Sequence, residues 1–295
     1  MKSFIIIVLA VLMIAVLFAE NIFAALDRIE KVMEESFKLE STGFFSLANV
    51  TGNIDVNSWD EKEVKMVATK SISSWGTDDP EELLNKIKIE IISQPKNLKI
   101  HTRYPILSWV KNARVDYQLW IPKTISVQLE SVSGTIQMQD QLNSVYAKTV
   151  SGNIKLNNIK GNTEVKTVSG KVSARQIKGD MRAGSVSGNL IFRGCEGIFS
   201  DLHSTSGDIE AELTVIDEDA SSMSLNTISG DINLYLPDDA SFNLYIKTVS
   251  GEINTKFKVL VESVKKNQLQ GEVGTGGIDI ELRTISGDIS LQKIQ

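Results

Sequence analysis

One short phrase recurs eight times in the second half of the chain, and its spacing limits the fold more than any other feature. It reads Ser-Val-Ser-Gly-Thr-Ile at 131–136, Thr-Val-Ser-Gly-Asn-Ile at 149–154, Thr-Val-Ser-Gly-Lys-Val at 167–172 and Ser-Val-Ser-Gly-Asn-Leu at 185–190. Variants follow at 204–209, 227–232, 248–253 and 284–289. The glycines Gly134, Gly152, Gly170 and Gly188 keep a strict period of 18, and Gly207, Gly230, Gly251 and Gly287 continue the series with longer intervals. Self-similarity of this kind marks a repeat architecture in which each unit buries its apolar face against its neighbours.

A second glycine halves the unit: Gly161, Gly179 and Gly197 each lie nine residues after a phrase glycine. Nine residues hold one short strand and a tight turn. Alternation puts Val150, Gly152, Ile154 and Leu156 on one side and Thr149, Ser151, Asn153 and Lys155 on the other, so the apolar set is read as inward. On that reading Thr149, Thr167, Ser185, Ser204, Thr227 and Thr248 form an outward hydroxyl ladder, and the eight phrase glycines are structural turn residues. A parallel β-solenoid with coils of about 18 residues and an antiparallel meander both fit strand–corner–strand–corner. The meander predicts Asn-Gly or Asp-Gly turns at its corners, whereas these corners read Ser-Gly and Lys-Gly. A left-handed hexapeptide helix needs apolar residues every six positions, and that spacing is absent. The sequence favours the all-β solenoid.

Residues 1–24 read as an export signal. Lys2 precedes an unbroken apolar run at 4–19, and Ile22-Phe23-Ala24 ends in a small residue suited to cleavage. The run is short for a spanning helix, which needs about 20 apolar residues; the alternative is an uncleaved membrane anchor, and membrane contact is expected only then. Cys195 is the only cysteine, so no intramolecular disulfide can form. The net charge of −6 without a basic run argues against nucleic-acid binding, and 6% aromatic residues weaken the case for a sugar-stacking surface.

Residues 25–125 read as a mostly β capping region ahead of the repeat region, 126–295. One or two helical turns are expected over 25–35, a diverged repeat phrase at 45–56 with Thr51-Gly52-Asn53-Ile54, and a strand at 63–69. A short helix is expected at 80–85, because Asp79 precedes Pro80 and the acids Glu81 and Glu82. Further strands are expected at 86–92, 98–103 and 113–121. Trp59, Trp75, Trp109 and Trp120 all lie in this region, either as bulky plugs of an open solenoid end or as a contact face, for which Trp75 and Trp109 are the better placed.

The order of these features is informative. The phrase Asn-Val-Thr-Gly-Asn-Ile-Asp-Val-Asn-Ser-Trp precedes a Pro-Glu-Glu-Leu helix start, then a strand ending in Ile121-Pro122, then the serial phrases. In this the chain resembles the bacterial putative-adhesin family, a group of unknown function defined by β-strand repeats, over about 40–295. The resemblance implies a right-handed β-helix and an envelope location. It brings no catalytic residues.

Catalysis in the repeats would need acids, bases or metal ligands brought together. His101 and His203 are far apart in sequence, and only His203 lies near Cys195, which has the phase of a core residue; a Cys195–His203 pair would lack a third group. Outward acids, including Asp201, Asp208, Glu210, Glu212 and the run 217–219, leave a glycan lyase or hydrolase on a β-helix as the rival reading. Calcium rolls need Gly-Gly-x-Gly-x-Asp in each turn, and Lys171 in the row after the glycines excludes a metal at every corner. In-register coils would set Asp208, Asp231 and Glu252 on three successive rungs about 4.8 Å apart. Such a row must splay, raise a carboxyl pKa or hold a cation, calcium before a transition metal. The expectation is therefore an exported, non-enzymatic envelope module without a cofactor, whose partner is an envelope polymer or protein.

Overall fold

Each 18-residue unit makes one coil, in which two strands meet at a glycine corner and face each other across an apolar interior. The computed structural model describes residues 27–74, 79–105, 113–217, 219–220 and 222–294. The segment 1–24, Trp75 and Trp109 lie outside the described residues. The chain runs through β1 (Asp27–Lys38), β2 (Phe44–Thr51), β3 (Ile54–Trp59), β4 (Glu63–Ser74), helix α1 (Pro80–Lys86), β5 (Lys88–Gln94), β6 (Asn97–Arg103) and β7 (Arg114–Pro122). The regular coils follow as β8 (Ser126–Ser133), β9 (Ile136–Gln141), β10 (Val145–Ser151), β11 (Ile154–Lys160), β12 (Thr163–Ser169), β13 (Val172–Ser187), β14 (Leu190–Ser206) and β15 (Ile209–Ile216). The last part holds β16 (Ser222–Ser229), β17 (Ile232–Leu236), β18 (Phe242–Lys247), β19 (Ile253–Thr255), β20 (Val259–Lys265), β21 (Gln268–Val273), β22 (Ile278–Arg283) and β23 (Ile289–Lys293).

The pairings sort these strands into two faces. The first runs β5–β6–β2–β8–β10–β12–β13–β14–β16–β22–β18–β21–β20. The second runs β1–β4–β7–β3–β9–β11–β13–β14–β15–β17–β23–β19. The long strands β13 and β14 pass through a corner and serve both faces. Within the coils every pairing is parallel, and register follows the period: Thr149 pairs with Thr167, and Ile154 with Val172. The antiparallel pairings lie at the two ends, where β1 and β4 close one and the β20–β21 hairpin the other. The chain is a β-solenoid, with the last residue of seven phrases (Ile136, Ile154, Val172, Leu190, Ile209, Ile232, Ile289) fully buried between the faces and Ile253 of the eighth half-buried.

The expected helix is present and starts for the expected reasons. Asp79 accepts the Glu81 N–H at 2.9 Å, Pro80 takes the first position, and Lys86 reaches back to Glu82 at 2.8 Å. Leu83, Leu84 and Ile87 are buried against the N-terminal end of the stack. The strands expected at 86–92, 98–103 and 113–121 are present as β5, β6 and β7. The diverged phrase at 45–56 is the first coil, β2–β3, which stacks directly on β8–β9.

Three readings require correction. Residues 25–35 were expected to hold helical turns, yet 27–38 is one strand paired antiparallel with β4. Ile29, Met33 and Phe37 pack on the core from positions four apart, a spacing that suits either structure; the long pairing with β4 decides it. The tryptophans at the described positions do not plug the end. Trp120 is half-buried on the outside of β7 with Lys65 5.6 Å over its ring, and Trp59 donates from Nε1 to the Glu63 carbonyl at 2.8 Å. Leu83, Leu84, Met66 and Tyr117 fill that end instead.

The third correction concerns phase. Thr149, Thr167, Ser185, Ser204 and Thr227 are buried, and Val150, Val168, Val186 and Ile228 are exposed, the reverse of the expected faces. Thr149 and Ile154 both point inward although five positions apart, so the parity changes at the corner itself rather than before it. In the C-terminal coils the corner carbonyl holds this phase. The Gly207 carbonyl oxygen accepts the Thr227 hydroxyl of the next coil at 3.1 Å, Gly230 that of Thr284 at 3.1 Å, and Gly287 that of Thr248 at 3.0 Å. In these C-terminal coils the inward threonine three residues before the glycine satisfies that carbonyl, whereas Ser131, Thr149, Thr167 and Ser185 take the same inward phase with no hydroxyl partner among the described residues.

The same oxygen explains the glycine. A methyl group on Gly170 would overlap the Gly152 carbonyl oxygen, and one on Gly188 the Gly170 oxygen, so each carbonyl fills the place of the next coil's side chain. Gly170 also has φ of +145°. We expect Gly170→Ala to destabilise by about 3 kcal/mol or more through clash and backbone strain. In the same urea series Thr227→Val should cost about 1 kcal/mol. Thr167→Val should be neutral, because the buried Thr167 hydroxyl has no partner among the described residues. Equal losses for the two threonines, or tolerance of alanine at 170, would contradict this account.

Candidate binding surface

The reversed phase gives the solenoid an outer ridge. The second residue of each phrase stacks in one column: Val132, Val150, Val168, Val186, Thr205, Ile228, Ile285 and Val249. The aliphatic members are 41–60% exposed. Beside it runs a column of exposed serines, from Ser133, Ser151 and Ser169 to Ser286 and Ser250. Their backbone carbonyls are engaged, as Ser151 accepts the Gly134 N–H at 3.2 Å, Ser169 that of Gly152 at 3.0 Å and Ser229 that of Gly207 at 2.9 Å.

The next column follows the glycines and contains the expected acidic row. Its order differs from expectation, because the coil β22–β23 is last in the chain but sits between β16–β17 and β18–β19. Asp288 therefore separates Asp231 from Glu252. The acids are not a bare row of like charges. Asn189 Oδ1 accepts the Asp208 N–H at 3.0 Å, Asp208 Oδ1 that of Asp231 at 3.0 Å, Asp231 Oδ1 that of Asp288 at 2.8 Å and Asp288 Oδ1 that of Glu252 at 2.8 Å. Asn153 does the same for Lys171 at 2.9 Å. Each short Asn or Asp side chain ties its coil to the next by a charge-assisted or amide hydrogen bond. Among the described residues no three His, Cys, Asp or Glu side chains are grouped so as to hold a metal ion.

A third corner was missed in the sequence. Asp140, Asn158, Gln176 and Gly194 have φ of 64°, 51°, 54° and 60° and recur at the 18-residue period. Asn158 donates to Asp140 Oδ1 at 2.7 Å. Asp and Asn tolerate this left-handed conformation better than most residues, so their recurrence at 140 and 158 was the available signal.

The groups that could carry chemistry are apart. Cys195 is fully buried and points inward; burial pushes its thiol up to about 12, which makes it a poor nucleophile. His203 is exposed on the other face, its Nδ1 3.0 Å from Asp201, with its ring lying over Gly184. His101 lies on β6, in the N-terminal part of the first face. Arg193 holds Glu210 at 2.7 Å, and Asp55 is raised by burial, with Asp116 adding to the shift and Lys155 opposing it. A cleft of about 750 Å³ beside the N-terminal cap is lined by Leu39, Glu40, Glu61, Lys62, Glu63 and Pro95 among others, with three carboxylates and neither His nor Cys. Among the described residues no helix is long and apolar enough to cross a membrane.

Comparison with known proteins gives a family. The family model described as Toastrack DUF4097 matches residues 45–292. No curated protein matches the chain. Solved structures with similarity include a putative adhesin from Bacteroides fragilis, 12% identical with a TM-score of 0.43, covering 90% of this chain and 97% of that one. A putative adhesin from Parabacteroides distasonis is 9% identical with a TM-score of 0.44, at the same coverage. A putative lipid binding protein from the same species is 14% identical with a TM-score of 0.39, again covering 90% and 97%. These likenesses are distant, and the family assignment rests on the model match.

The acidic column yields a test. Asp208→Asn keeps an acceptor for the Asp231 N–H and should change stability by less than about 0.5 kcal/mol, whereas Asp208→Ala should cost about 1–2 kcal/mol. Urea melts with and without calcium measure both. A calcium-dependent gain in stability that Asp208→Asn abolishes would show that the column holds a cation rather than the coils.

Proposed function

The chain belongs to the Toastrack DUF4097 family, and from the surface its coils present we propose that it is an exported, non-enzymatic binding or scaffold module of the bacterial envelope. The observation that carries this reading is the in-register column of exposed phrase residues. Seven of the eight coils repeat an outward Val or Ile beside a serine, which suits contact with a repeating or extended partner. Stacked Val and Ile also suit the strand itself, and their exposure leaves a continuous apolar strip open to a partner. The chemistry-bearing groups support the same reading, because Cys195 is sealed in the core and His203 faces solvent with one carboxylate for company.

Export is supported by Lys2, the apolar run at 4–19 and Ala24, and places the module in the periplasm or at the cell surface. Whether the segment is removed or retained as an anchor, β1 begins at Asp27. The capped end of the solenoid would then lie nearest the membrane in an anchored form, with the coils extending away from it.

The purified protein should be screened against cell-wall and capsular polysaccharides for binding and for turnover. Saturable binding without release of new chain ends is expected. Turnover abolished by a single substitution such as Asp201→Asn would replace this reading with a glycan-active enzyme on the same fold.

A further inference from the structure

The ridge, taken with what borders it, selects a class of partner. Its two columns cross eight rungs at about 4.8 Å each, so the strip is roughly 34 Å long and about 7 Å wide. That is on the order of 250 Å², well short of the ~800 Å² per partner in a stable protein–protein interface. A second copy of the chain is therefore a poor occupant, and a thin, extended molecule fits. An added peptide strand is also disfavoured, because strand addition needs free backbone groups, and the serine carbonyls along the ridge already accept glycine N–H groups from neighbouring coils.

Charge narrows the choice. No residue of either column is ionisable, although 23% of the chain is charged. Along the C-terminal half one side of the strip is bordered by the exposed Asp208, Asp231, Asp288 and Glu252, while the other side carries the exposed Lys148, Lys166, Arg283 and Lys247, so charges of both signs flank it and neither an anionic nor a cationic polymer is favoured along its length. The strip itself offers two chemistries side by side. Valine and isoleucine methyls stand half in water, and none of the serine hydroxyls beside them is engaged by the described residues. A sugar ring presents apolar C–H faces and hydroxyl edges, and serine can donate to or accept from those hydroxyls.

We propose that this Val/Ile–Ser strip is a binding site for a neutral linear glycan lying along the stack axis. The proposal rests on the binding-module reading above and adds the site and the ligand class. With sparse aromatic residues the contact works by many weak, repeated contacts rather than by ring stacking, so affinity should grow with chain length.

Retention of the purified protein on microcrystalline cellulose and on chitin, with polygalacturonate as the anionic comparison, tests it. Wild type should be retained on a neutral glycan, with at least about tenfold weaker retention for Val168→Lys combined with Val186→Lys. Val168→Ser with Val186→Ser, which removes methyls without adding charge, should also weaken retention and serves if the lysine pair fails to fold. Arg175→Ser, on the second face, should leave retention unchanged. Undiminished retention of both ridge variants would overturn the site, as would wild-type retention on polygalacturonate alone or on none of the three. If the protein instead binds another envelope polymer through a surface the ridge variants leave intact, the binding-module reading stands and only this proposal falls.

Discussion

The glycine carbonyl at the phrase corner is the group on which the rest of the stack depends. It points along the stack axis into the place where the next coil would carry a β-carbon, so only glycine can follow glycine up the column. A buried carbonyl needs a donor. In the C-terminal coils the donor is the hydroxyl three residues before the next glycine, as in Thr227 to Gly207 and Thr284 to Gly230. Where that threonine is held inward the residue after it points outward, and the N-terminal coils keep the same phase although their Thr149, Thr167 and Ser185 hydroxyls have no partner among the described residues. The Asn or Asp after the glycine closes the other side of the corner by accepting the next coil's N–H. The four specified residues of Thr-x-Ser-Gly-Asx thus form one device for joining parallel coils.

A stack of parallel coils has two exposed ends, and the chain treats them differently. At the N-terminal end the insertion between β3 and β8 supplies antiparallel strands and α1, which bury Leu83, Leu84, Ile87 and Met66. At the other end Phe257 packs edge-to-face on Phe242 at 5.4 Å, and the β20–β21 hairpin extends the first face. There Leu260 and Val264 remain 72% and 69% exposed, and a β-bulge between Val261 and Ser263 breaks the regular edge. Bulges of this kind, with the charges of Glu262 and Lys265, work against edge-to-edge association.

Much of this was legible from spacing alone. The period of 18, the glycine corners, the capped helix at Asp79–Pro80 and the coil at 45–56 all follow from local rules. What was not legible depended on contacts between coils. Alternation assigned Val150 to the core and Thr149 to solvent because apolar residues are normally buried, and no local rule reveals that the parity changes at the Ser-Gly corner. The strand β1 was mistaken for helix because Ile29, Met33 and Phe37 recur at a spacing common to both. The insertion of β22–β23 between two earlier coils is a matter of topology that the phrases, being nearly identical, cannot encode. On the candidate site the sequence pointed to Asp208, Asp231 and Glu252, and it was the presence of Asp288 among them and the backbone N–H groups they accept that recast the row as a joint between coils.

The central claim is that the phrase corners are structural joints rather than surface turns. Native-state amide hydrogen exchange tests it directly, since the N–H groups of Gly134, Gly152, Gly207 and Asp231 are solvent-adjacent in position yet engaged between coils. The account predicts that they exchange only with global unfolding, as slowly as the buried Ile154 and Ile232. Exchange at the rate of an open loop would show that the corners do not hold the coils together.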